Sequence, residues 1–103
     1  GMKPWLLYLP LNNRIYAELV RFDPKVPAEV REWKPHDLPE LVEKLCRERG
    51  IAFINSIPKL RAAAVQGTMV FNTIYDTHLN EQGALMVGKA LAEAFKELPA
   101  GSR

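Results

Sequence analysis

The sequence predicts an α/β fold, a small parallel sheet with flanking helices in a single domain, residues 1–103. Three observations carry that prediction. Two short apolar runs, Leu6-Leu7-Tyr8-Leu9 and Ile51-Ala52-Phe53-Ile54, lack the alternation of a half-wet strand and read as parallel strands covered on both faces. Apolar residues at helical spacing fill the stretches between and after them. The resulting order of strand, helix, strand, helix, short strand and helix is that of right-handed β-α-β crossovers.

Each element has its own signal. Pro4 and Pro10 bracket the first strand, and Asn12-Asn13 marks a turn. Arg14 to Val20, with Ile15 and Leu19 four apart, predicts one or two helical turns. From Phe22 to His36, Pro24, Pro27 and Pro35 remove backbone donors and exclude long regular structure, with Trp33 expected to pin the segment to the body. Asp37 then reads as the N-cap of a helix, with Glu40 placed for the reciprocal bond of a capping box. Leu38, Leu41, Val42, Leu45 and Cys46 form one apolar face, while Arg47 and Arg49 suit the negative end of that helix and Gly50 its C-cap.

The second strand, Ile51 to Ile54, delivers Asn55 and Ser56 at its carboxyl end, the side on which open parallel sheets bind ligands. Ser56 is a candidate nucleophile on position alone, and it also reads as the N-cap of a helix that begins near Pro58 and runs to Gln66, ended by Gly67. Thr68-Met69-Val70-Phe71 predicts a third short strand. The final helix, Ala84 to Leu98, places Leu85, Gly88, Leu91, Ala92, Phe95 and Leu98 along one stripe. Gly88 weakens that helix by about 1 kcal/mol relative to alanine, which suggests close packing on the sheet. Residues 99–103 are expected to be a disordered tail.

Composition narrows the classes of function. Apolar residues at 48% and charged residues at 25% are ordinary globular values, so disorder is not expected. Fourteen Lys and Arg against twelve Asp and Glu are scattered among one another, as in Arg14 with Glu18 and Glu43 with Lys44, whereas a nucleic-acid footprint needs clustering. The single Cys46 excludes an intrachain disulfide, and its place on an apolar stripe predicts buried packing. His36 and His78 are the only histidines and lack ligand spacing, so neither a metal nor a cofactor is expected. The apolar start is broken by Pro10 without a small-residue cleavage pattern, which favours a strand over a signal peptide, and no run is long enough to span a bilayer. Gly1 before Met2 reads as an expression scar; Met2 as a true start would imply a cytoplasmic chain, and a fragment of a longer protein the cell envelope.

The chemistry concentrates in Tyr75-Asp76-Thr77-His78-Leu79-Asn80-Glu81-Gln82-Gly83. In extended chain, residues i and i+2 leave the same face with Cα atoms ~6.5 Å apart, so the Asp76 carboxylate can reach the near ring nitrogen of His78. A hydrogen bond from Nδ1–H to Asp76 would fix the tautomer and leave Nε2 to take a proton from a nucleophile, the arrangement of a general base and its orienting acid. Asn80 reads as the N-cap of the helix starting at Glu81. A local surface hydrogen bond is the plainer alternative for the pair, and His36, with no acid on a shared face, reads as a solvated flank.

Asp76-Thr77-His78-Leu79-Asn80, followed by Gly83 and the apolar helix, resembles the closing block of the SGNH (GDSL-type) hydrolase superfamily. The two-residue spacing is similar to the branch containing cell-envelope O-acetyltransferases, with Leu79 where that branch typically has tryptophan. Leu6 to Pro10 and Gly50 to Ile54 resemble two strands of the family sheet, so the chain resembles the C-terminal half of a flavodoxin-like three-layer domain. The resemblance implies His78 as general base, Asp76 as its orienter, and an ester or an O-acetylated carbohydrate as substrate. No Gly-Asp-Ser segment or oxyanion-hole block is present. The nucleophile would then come from elsewhere, and the short sheet would pair with a missing N-terminal half or a second copy in a homo-oligomer. The competing expectation is a non-catalytic relative serving as a binding or assembly module.

Overall fold

The computed structural model describes residues 4–17, 19–21, 23–32, 34–72 and 77–97. Two strands, β1 (Trp5–Tyr8) and β2 (Ala52–Asn55), pair in parallel with Trp5 opposite Ala52 and Tyr8 opposite Asn55. Three helices fill the crossover between them: α1 (Asn12–Tyr16), α2 (Ala28–Arg31) and α3 (Leu38–Glu48). After β2 come α4 (Ile57–Val65) and α5 (Glu81–Glu97). The fold is α/β, as the sequence predicts.

Several elements differ in detail from expectation. Helix α1 begins at Asn12 and ends at Tyr16, taking in the asparagines expected as a turn. The proline-rich segment holds one short helix, α2, which begins directly after Pro27, whose fixed φ suits that position. Asp37 occupies the N-cap position of α3, but its side chain makes no capping bond. Its backbone ψ of 24° departs from the extended conformation of a capping residue, and Pro39 has no N–H to donate to it. The other end of α3 behaves as expected: Gly50 adopts φ 67°, its N–H donates to the Arg47 carbonyl at 3.4 Å, and Ile51 N–H donates to that of Cys46 at 2.8 Å. These are the paired bonds of a Schellman turn, and the positive φ accounts for glycine there.

The stretch Thr68 to Phe71 is not a third strand. Its main-chain groups are taken by side chains and by a hairpin neck: Val70 and Phe71 N–H both donate to the Tyr16 hydroxyl, and the Val70 carbonyl accepts from Asn80 N–H. Among the described residues, an isolated antiparallel bridge, Phe71 with Leu79, is all that remains of a ladder there. The core lies beside the sheet, where Ile15 and Tyr16 of α1, Ile57 and Leu60 of α4, Val70, Phe71 and Val87 of α5 form one buried cluster. Tyr16 and Phe71 meet edge to face, with centroids 5.7 Å apart.

Helix α5 turns a different face inward from the one its large residues suggest. Gly83, Val87 and Ala90 are buried, whereas Leu85 and Phe95 are half exposed and Gly88 is exposed. The cause is close approach. A Cβ at Gly83 would stand 2.0 Å from the Val70 carbonyl oxygen, while one at Gly88 would meet nothing within 4 Å. Gly83, Val87 and Ala90 therefore form the buried face, with Met86 packed beside it, while Phe95, further along, sets its ring against Trp5 of β1 at a centroid distance of 5.7 Å. Helix α3 also buries less than its stripe implies: Cys46 is buried, but Leu38, Leu41 and Leu45 are each about half exposed. The Cα radius of gyration of 15.8 Å exceeds the ~13 Å usual for a chain of this length.

The two glycines of α5 should thus respond oppositely to alanine. Gly83→Ala forces a backbone shift and should cost about 2–4 kcal/mol in urea denaturation, whereas Gly88→Ala should raise stability by up to about 1 kcal/mol. Equal effects of the two substitutions would contradict the packing described.

Candidate functional site

The loop carrying the predicted acid and base springs from a narrow neck. Asn72 N–H donates to the His78 carbonyl at 3.1 Å, and Asn80 N–H to the Val70 carbonyl at 3.1 Å, on either side of the Phe71–Leu79 bridge. These bonds fix the His78 main chain where the loop rejoins the body, and the residue is exposed. Asp76, the predicted orienting acid, lies outside the described residues, as do Tyr75, Trp33 and the tail.

Asn80 holds the neck together. Its Oδ1 accepts from Gly83 N–H at 2.8 Å, so it caps α5 as predicted. Its Nδ2 also donates to the carbonyls of Met69 at 2.7 Å and Phe71 at 3.2 Å. One carboxamide therefore joins the segment entering the loop to the helix leaving it. Serine or threonine would cap the helix but could not supply both donors.

Tyr16 braces the same neck from 54 residues away. Its hydroxyl accepts from Val70 N–H at 3.1 Å and Phe71 N–H at 3.3 Å, satisfying two main-chain donors in the core. Nothing in the local sequence marks Tyr16 for more than its helix; its one signal is a polar-tipped aromatic beside Ile15, and an aromatic hydroxyl that becomes buried needs a partner.

Ser56 is not placed to act as a nucleophile. It is fully buried, and its hydroxyl donates to the Tyr8 carbonyl at 2.6 Å, clasping the ends of the two strands. It stands at the N-cap position of α4 but does not cap it with its side chain. Asn55 contributes there instead, its Oδ1 accepting from Ile57 N–H at 3.0 Å. His36 is exposed, and its carbonyl accepts from Arg14 Nη1 at 2.6 Å. Among the described residues no three His, Cys, Asp or Glu side chains gather in a way that could hold a metal ion. Among the described residues no helix is long and apolar enough to cross a membrane.

The division of labour in Asn80 can be separated by two substitutions. Asn80→Ala removes cap and donors together and should cost about 1–3 kcal/mol in urea denaturation. Asn80→Asp keeps the cap acceptor but sets a carboxylate against the Met69 and Phe71 carbonyls, so it should also destabilise; full stability in Asn80→Asp would show that only the cap matters. No protein-family model, no curated protein and no solved structure matches this chain.

Proposed function

We propose that this chain supplies the Asp-His part of a Ser-His-Asp triad in an SGNH-like ester hydrolase or O-acyltransferase. In this reading His78 is the general base and Asp76 holds its ring, while the nucleophile and oxyanion donors come from another segment or polypeptide. The observation that carries the reading is the neck: a loop bearing acid and imidazole two residues apart, closed by main-chain bonds at Val70, Asn72 and Asn80, with an exposed His78 at its exit. A base must be held against a fixed frame yet remain reachable by substrate. Burial of Ser56 supports an external nucleophile, since the serine nearest a strand end is engaged with Tyr8.

The exposed apolar residues support the same division. A sheet of two strands leaves two unpaired edges, and Leu38, Leu41 and Leu45 leave a half-covered helix face. An N-terminal half-domain, or a second copy of this chain, would cover them. The substrate class that goes with this reading is an ester, including an O-acetylated carbohydrate.

A non-catalytic binding or assembly module is the second reading, and Leu79 favours it. Where the resembling branch has tryptophan, this chain has a leucine packed against the core cluster. One assay separates the two. The chain alone should not turn over an aryl acetate, whereas the chain joined to a completing Gly-Asp-Ser half should, and His78→Ala should then lower kcat by roughly 10²–10⁴-fold. Turnover unchanged by His78→Ala would assign the loop to the second reading.

A further inference from the structure

Away from the loop, a cleft of about 470 Å³ lies among α1, α2 and the start of α3. It is lined by three cations, Arg14, Arg31 and Lys34, and three carboxylates, Glu32, Asp37 and Glu40. Opposite charges so placed would ordinarily pair, yet they do not. Among the described residues the ion pairs are Glu43 with Arg47 and Lys59 with Glu93, both elsewhere.

Each arginine is instead oriented by the main chain. Arg14 donates from Nη1 to the His36 carbonyl at 2.6 Å, and Arg31 from Nε to the Val26 carbonyl at 2.9 Å. A guanidinium has five N–H donors in a planar fork, so one such bond aims the group while leaving donors for a ligand. The first turn of α3 adds to this, because no side chain caps it. We propose that the cleft binds a small polar ligand through a carboxylate or phosphate group held by Arg14, Arg31 and Lys34. The flanking carboxylates accept from the ligand's hydroxyl or amine groups. They also repel extended polyanions, which sets this cleft apart from a nucleic-acid surface. The size is that of an ordinary small-molecule site. This inference is independent of the triad reading.

The test is a titration of the isotope-labelled chain with inorganic phosphate and, separately, acetate, each against sodium chloride of equal ionic strength. Saturable shifts at Arg31 Nε–H and at the amides of Leu38 and Glu40 are expected with at least one of the two. Phosphate as the tighter probe identifies a phosphoryl ligand, and acetate a carboxylate. The exposed pair Arg31→Gln with Lys34→Gln should weaken binding by about tenfold or more, as loss of charge-assisted bonds implies. Glu40→Gln should tighten it about two- to threefold by removing a repelling charge, and Lys44→Gln, on α3 outside the cleft, should leave it unchanged. Shifts that only follow ionic strength, or saturable binding indifferent to Arg31→Gln with Lys34→Gln, would overturn the proposal.

Discussion

The Val70 carbonyl is the point on which this structure turns. It accepts from Asn80 N–H, and it lies so close to α5 that only glycine fits at position 83. That single contact brings the end of the loop back to its beginning and seats the longest helix on the core. Around it, Tyr16 takes the N–H groups of Val70 and Phe71, and the Asn80 carboxamide takes the carbonyls of Met69 and Phe71. Val70 and Phe71 thus have both main-chain polar groups satisfied without a sheet, and the Met69 carbonyl and Asn72 N–H also find partners. Buried main-chain groups must find partners, and here side chains from distant elements provide them.

What could be read from sequence was local. The apolar runs of β1 and β2, the Gly50 stop of α3, burial of Cys46 and the Asn80 cap all follow from neighbours a few residues apart, and all are present. The errors arise where distant contacts decide. Thr68 to Phe71 has strand composition, but Tyr16 and Asn80 claim its main chain. Likewise the spacing on α5 predicts a stripe that includes Leu85 and Gly88, whereas the close approach at Val70 buries Gly83, Val87 and Ala90. Ser56 carried a capping signal, but its hydroxyl lies within reach of the Tyr8 carbonyl only because β1 and β2 pair in register.

The candidate site divides in the same way. The spacing of Asp76 and His78 was legible, and so was the helix start behind them. The neck was not, because it depends on Phe71 meeting Leu79 across a loop whose closure no local motif announces. Leu38, Leu41 and Leu45 on α3 and Leu85 on α5 remain about half exposed, so these positions lie outside the buried cluster.

A carboxylate at Asp76 that steers the His78 imidazole would leave its mark on the tautomer of the ring. Nitrogen-15 spectra of the labelled His78 ring would show this directly. An Nδ1-protonated neutral tautomer is expected in the native chain, with loss of that preference in Asp76→Asn. A ring protonated mainly on Nε2, or a tautomer ratio unchanged by Asp76→Asn, would contradict it.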